Sequence, residues 1–374
     1  MRTLKVFFLV TMPVLCAFAA GAQSSNDVYE SEEHSFRLVR EVGGLENPWS
    51  LAYLPDGRLL VSERAGRLNI IDGSERTEVN GLPEIAATGQ GGLLDIALHP
   101  DFEKNGLVYY TYAARGSGGA GTALGRGRLE GTSLQNVEQL FLMNELSSAG
   151  QHFGSRLVFL DDGTLLFTIG DRGQRTRSQN FRDHAGGTIR LNDDGTVPDD
   201  NPWVGNDDYA SEFFTVGNRN AQGMAIHPRT GQIWQSEHGP RGGDELNLIE
   251  AGRNYGWPVV SQGTEYSTGA EIGAAGREGM TNPVHYWTPA IAPSGMTFYT
   301  GDAFPAWQDN LFLASLVQQQ LHRLVIEGEE LVHEEVLLSR QIGRIRDIVQ
   351  GPDGLLRVLS DERDGGLYRI EPAH

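Results

Sequence analysis

The chain carries a single cysteine, Cys16, in 374 residues. No internal disulfide can brace it, so its stability must come from packing or from bound metal. Positive charge is also scarce. Thirty Lys+Arg face 49 Asp+Glu, a formal charge of −19, which argues against nucleic acid or an anionic membrane as partner, since both require a basic footprint. Charged residues make up only 21% of the chain and hydrophobic ones 39%, so the sequence can bury a large core and is not disordered. Several catalytic motifs are missing: there is no GxGxxG opening a helix after a strand, no GxxxxGK[ST], no HExxH and no GxSxG. Glycine, by contrast, is abundant. Forty-eight glycines without a G-x-y period exclude collagen, argue against a helical bundle and point to a turn-rich, all-β chain.

The N-terminus reads as a processing signal. Arg2 and Lys5 precede an uncharged apolar stretch from Val6 to Ala20, and Ala20-Gly21-Ala22 offers a small-x-small cleavage site. This predicts a secretory signal peptide over residues 1–22, the apolar run being short for a span of about 20 residues. Leu15 before Cys16 is too large for a lipoprotein site. Cleavage would remove Cys16 and two positive charges, taking the net charge from −19 to −21. A periplasmic protein without a membrane span is expected, with residues 23–374 as one domain; full secretion fits the same signal.

The remainder repeats one local pattern. Leu51 to Ser62 reads as strand, Pro-Asp-Gly turn, strand,. The pattern recurs from Ile96, Leu157, Met224, Met296 and Ile348, giving six units of roughly 59 residues, close to the about 50 of known propeller repeats. A six-bladed β-propeller with four-stranded antiparallel blades is therefore predicted. Polar or glycine-rich clusters precede each first strand and often follow the second. The two ends of a hairpin lie together, so these clusters should gather on one rim around the central channel.

The third hairpin places two chemically useful residues there. If Asp162-Gly163 is its turn, paired residue numbers sum to about 325, and His152 with Asp171 sums to 323. A carboxylate opposite an imidazole can orient it as a general base; the spacing also admits a surface histidine beside an unrelated turn acid. Arg344 and Arg346 share one strand face. They either grip an anion or form a solvated edge balanced by Asp347. Arg219 and Asn220 add donors before another strand. The stretch from Glu237 to Asn247 could offer carbonyls to a hard cation such as calcium, or be an ordinary Gly-Pro turn. Gly116 to Gly127 reads as a mobile loop, His99 and His227 as turn residues, and the Asp pairs between Asp193 and Asp208 as solvated charge.

In order along nearly the whole chain, NPW, GQGGLLDIALHPDF, QHFGSRL, IGDRG, GNRNAQGMAIHP, SEHGPRGGDELN, NYGWP, APSGM and RIRDI resemble the soluble pyrroloquinoline quinone (PQQ) dependent sugar dehydrogenases, particularly their aldose dehydrogenase branch. The resemblance implies oxidation of an aldose at C1 to a lactone, with hydride transfer to C5 of PQQ polarised by calcium and reoxidation by an external acceptor. It implies His152 as the base and Asp171 as the carboxylate that orients it. Gln90, Arg219, Asn220, Arg344 and Arg346 match quinone-binding positions. The carbonyls of Gly239 and Pro240 match ligands of the calcium beside PQQ, and Glu245 with the Tyr255 carbonyl a second calcium site. A monomer or homodimer is compatible with all of this.

Three positions depart from the family pattern. Val317 stands where relatives have a lysine, Gln151 where the glucose branch has an acid, and Ala290 where that branch has a threonine. Weaker cofactor binding and a different sugar preference are expected. Two other functions compete: a calcium-dependent hydrolase or lactonase with His152 activating water, and a binding propeller that has lost PQQ.

Overall fold

A computed structural model describes residues 27–373; the predicted signal peptide and Cys16 lie outside them. Each of the six sequence hairpins forms the first two strands of an antiparallel blade. Blade 1 comprises Pro48–Tyr53, Leu59–Glu63, Arg67–Asp72 and Glu75–Val79, and blade 2 Leu93–Leu98, Leu107–Gly116, Gly119–Glu130 and Ser133–Leu142. Blade 3 comprises Leu157–Phe159, Leu165–Ile169, Gly187–Leu191 and Phe213–Val216; blade 4 Ala221–Ile226, Ile233–Glu237, Asp244–Ile249 and His285–Trp287. Blade 5 comprises Pro293–Phe298, Leu311–Ser315, Leu321–Glu327 and Glu330–Leu337. Blade 6 takes Ile345–Gln350, Leu356–Ser360 and Gly365–Pro372 from one end of the chain and Ser35–Leu45 from the other, with Phe36 opposite Pro372 and Leu38 opposite Ile370. Val28–Glu30 adds a fifth strand at its edge. Among the described residues no helix is long and apolar enough to cross a membrane.

Burial follows distance from the centre. Second strands such as Leu59–Glu63, Leu165–Ile169 and Leu311–Ser315 are buried along their whole length, because neighbouring blades cover both faces, and each begins with at least three consecutive apolar residues. The outer strand Glu75–Val79 buries only Val79. Apolar clusters join every adjacent pair of blades: Leu60 with Tyr110, Phe167 with Tyr109, Leu166 with Met224, Trp234 with Phe298, Phe312 with Ile348, and Val61 with Leu367. The ring is thereby closed.

Across the channel, Arg156 at the start of blade 3 pairs with Asp95 of blade 2 at 3.2 Å and Asp347 of blade 6 at 3.0 Å. Burial pushes the Asp347 carboxyl up to about 6, against the pull of Arg156. Asp347 is thus engaged with Arg156, and the acid that balances Arg344 and Arg346 is Asp361 instead.

The segment from Gly116 to Gly127 is not a mobile loop. It belongs to the long second hairpin of blade 2. Its glycines mark close packing: a Cβ at Gly121 would meet Met143 and Leu146, and one at Gly125 the Tyr110 ring.

Five of the six inner strands carry a register irregularity near their rim end, between Pro48 and Ser50, Leu93 and Ile96, Ala221 and Gly223, Pro293 and Met296, and Ile345 and Asp347. A bulge leaves an extra residue unpaired and re-aims its side chain. Trp49, Gln222 and Arg346 sit in three of these bulges, and all three line one rim cavity. In blade 3 the equivalent stretch is irregular, with positive φ at His152, Gly154 and Ser155.

Candidate active site

The blade 3 register brings the predicted pair together. Leu157 opposes Phe167 and Phe159 opposes Leu165, so His152 and Asp171 meet beyond the strand ends, and His152 Nδ1 lies 2.6 Å from Asp171 Oδ1. An ionised carboxylate only accepts, so Nδ1–H donates and Nε2 is left able to take a proton. Burial pushes Asp171 up, but the His152 hydrogen bond and charge, then Arg219 and the Gly173 N–H, outweigh it and hold the carboxyl below its ordinary range. Its other oxygen accepts from Trp257 Nε1 at 2.9 Å.

The His152 backbone is fixed as well. Gln90 Oε1 accepts its N–H at 2.8 Å. Arg172, which is 0% exposed, donates to the carbonyls of Gln151, Ala149 and Ala120 and stacks on Phe153 at 3.5 Å. Burial, followed by the like charge of Arg177, pushes this guanidinium down to about 10.

His152 opens into a cavity of about 780 Å³ lined also by Gln90, Arg219, His238, Gly239 and Pro240. We call it the proton chamber. Gly239 and Pro240 are buried, and their carbonyls accept no hydrogen bond from the described residues. Adjacent unpaired carbonyls in a polar cavity fit a hard cation. Asp244 shapes this turn by accepting from the N–H groups of Gly239, Ile291 and Ala292, and burial pushes its carboxyl up to about 6. His238 donates Nε2–H to the Pro293 carbonyl at 2.7 Å; burial and Arg219 push it down to about 3, which keeps it neutral. Arg219 bonds the His238 carbonyl at 2.9 Å and lies over Trp257.

A second cavity of about 300 Å³ adjoins the first through Gln90 and His238 and is lined by Arg64, Arg344, Arg346 and Arg363 against Asp361 and Glu362. This is the arginine chamber. Arg346 bonds Asp361 at 2.5 Å and Gln222 at 2.8 Å, whereas Arg344 Nε stays 3.8 Å from Asp361. Burial lowers the Arg344 guanidinium and the charges of Arg346 and Arg64 add to that, against Asp361 and Glu362. Four guanidiniums against two carboxylates suit a ligand with several carboxylates.

Other sequence candidates lie elsewhere. Asn220 is fully buried, holds the Gly154 N–H at 3.0 Å and lines neither chamber. Glu245 faces a small neighbouring void with Glu237; burial and the Glu237 charge push it well up. Tyr255 is not among the residues around that void; its hydroxyl bonds the Leu248 carbonyl at 2.6 Å. Val317 and Ala290 line the proton chamber, and Gln318 bonds the Ala290 carbonyl at 3.2 Å. Gln151 is exposed beside His152. His99 and His227 cap turns, each accepting a backbone N–H two residues on.

Sequence reasoning missed His238, Trp257 and Arg64. His238 and Trp257 lie in quoted motifs, SEHGP and NYGWP, but nothing in their spacing points to their partners. Arg64 could have been found because it directly follows the second strand of blade 1, where a rim cluster is expected.

The fold and site define a six-bladed propeller whose rim couples a carboxylate-oriented histidine to a cation-ready turn and a guanidinium-rich chamber. The glucose/sorbosone dehydrogenase family model matches residues 45–369, and the chain belongs to that family. It is 38% identical to the aldose sugar dehydrogenase YliI of Escherichia coli, over 98% of each chain. It is 28% identical to quinoprotein glucose dehydrogenase B of Acinetobacter calcoaceticus, covering 94% of this chain and 91% of that one. The PQQ-bound aldose sugar dehydrogenase of Streptomyces coelicolor superposes with a TM-score of 0.76 at 26% identity, covering 90% of this chain and 98% of that one.

Proposed function

We propose that this oxidoreductase oxidises aldoses at C1 to lactones with PQQ and calcium in the rim site. The observation that carries the proposal is the His152–Asp171 pair at 2.6 Å, opening into a cavity that adjoins the arginine chamber. His152 Nε2 takes the proton of the anomeric hydroxyl while Asp171 stabilises the imidazolium that forms. Arg344, Arg346 and Arg64 would hold the carboxylates of PQQ, Gln90 and Arg219 would flank it, and the Gly239 and Pro240 carbonyls would ligate calcium. Bound PQQ and calcium would supply the hydride acceptor and its Lewis-acid activation. The quinoprotein and PQQ-bound relatives support this cofactor. Glu245 with the Tyr255 carbonyl is retained as a second calcium site, and Asn220 as a residue that supports the His152 loop. Export to the periplasm and an external electron acceptor complete the proposal.

A hydrolase would need carboxylates free to hold a metal at the channel centre. Asp95 and Asp347 there are engaged by Arg156. Reconstituting the protein with PQQ and Ca²⁺ and adding an aldose should produce the quinone-to-quinol absorbance change. A protein that binds PQQ yet changes with no aldose would refute the dehydrogenase reading.

A further inference from the structure

The two most exposed large hydrophobic side chains identified in the described residues, Tyr266 at 66% and Val317 at 57%, line the same cavity, the proton chamber. Pro289 and Ala290 also line this cavity, together with the polar Gln90, His152 and Arg219. Exposed apolar groups gathered at a cavity mark a binding surface. A pyranose has matching chemistry, with an apolar face of C–H bonds and an edge of hydroxyls.

Tyr266 is presented by a small, tied hairpin. Glu265 N–H bonds the Ala270 carbonyl at 2.7 Å, Gly269 N–H bonds the Glu265 carbonyl at 2.9 Å, and Thr264 bridges to Arg241 and Glu271. From blade 3, Arg175 grips Glu265 with both terminal nitrogens, at 2.6 and 3.0 Å. The same guanidinium lies over Trp257, which bonds Asp171. The hairpin is therefore connected through packed groups to the carboxylate that orients His152. The Tyr266 hydroxyl has no hydrogen-bond partner and its ring no aromatic neighbour among the described residues.

We infer that Tyr266 is a sugar-stacking platform, held over the proton chamber by the Arg175–Glu265 pair, and that it selects cyclic aldoses by the apolar face of the ring. The inference rests on the proposed aldose reading and deepens it. The test combines saturation-transfer NMR of aldose binding to the cofactor-free protein with kcat and KM of the reconstituted enzyme. Tyr266→Ala should weaken binding and raise KM by about tenfold, with kcat within about twofold of wild type. Tyr266→Phe should restore wild-type KM, since the ring face is kept. Glu265→Gln should raise KM by about threefold, as expected for a partly exposed pair.

An unchanged KM in Tyr266→Ala, in a protein whose wild type oxidises aldoses, overturns the platform and leaves the dehydrogenase reading standing. Equal losses in Tyr266→Phe and Tyr266→Ala also overturn it, because the hydroxyl would then be responsible. A wild type that neither binds nor oxidises any aldose overturns both.

Discussion

The proton chamber and the arginine chamber share Gln90 and His238 yet treat charge in opposite ways. Around His152 the buried ionisable groups are set by their surroundings: Asp171 is held ionised by His152, and His238 is kept neutral by burial. Beside it, four arginines share two acids, and Arg344 pays for its position in lowered proton affinity. In the proposed mechanism one chamber moves a proton. The other is arranged to be completed by an anion. The bulges build the arginine chamber, which Trp49, Gln222 and Arg346 line from three of them, whereas His152, Gln90 and Arg219 reach the proton chamber from segments that precede the inner strands,.

Substitutions should separate the two chambers. The largest effect is expected from His152→Gln, which should lower kcat by about 10³-fold while PQQ affinity stays near wild type, measured by steady-state kinetics and cofactor titration. Asp171→Asn should lower kcat less, by about 10²-fold, the lower end of the range for general acid–base catalysis, because His152 keeps its ring but loses the carboxylate that orients it. Arg344→Gln belongs to the other chamber. It should weaken PQQ binding by about tenfold in calorimetry, with kcat at saturating cofactor little changed. If His152→Gln and Arg344→Gln altered both quantities alike, the division between the chambers would be wrong.

Acid titration gives a further separation. The folded pKa of His238 is about 3 against an ordinary 6.5. Stability from keeping it neutral is therefore present above pH 6.5 and lost as pH falls towards 3, by at most about 1.4 kcal/mol per pH unit. Asp244 and Asp347, both raised to about 6 from an ordinary 3.8, act with the opposite sign: the cost of ionising them is relieved as pH falls through 6 towards 3.8. Chemical denaturation of His238→Gln should show a smaller stability loss than wild type between pH 6.5 and 4. The smallest effect is expected from Val317→Lys. At a position 57% exposed, a new cation should tighten PQQ binding by no more than about fivefold, and no change at all would remove Val317 as a cause of weak cofactor binding.

The hairpins and the His152–Asp171 pair were legible because antiparallel register is arithmetic: the predicted sum of about 325 compares with 324 for Leu157 and Phe167. The directions of Arg346 and Gln222 were not, since a bulge shifts side chains in a way no spacing records. Asp361, not the sequence neighbour Asp347, balances the arginine pair for the same reason. Trp257 and Tyr266 lie in the insertion of blade 4, outside any repeat. The glycines from Gly116 to Gly127 were misread because glycine serves tight packing between strands as readily as a loop.

In the proposed mechanism His152 performs the proton transfer of an aldose oxidation while the arginines only hold the cofactor. The most direct test is the absorbance of PQQ on adding an aldose to the reconstituted wild type, His152→Gln and Arg344→Gln, each saturated with PQQ and Ca²⁺. We predict rapid reduction in the wild type and in Arg344→Gln, and reduction slowed by about 10³-fold in His152→Gln. Equal rates in wild type and His152→Gln would contradict the account.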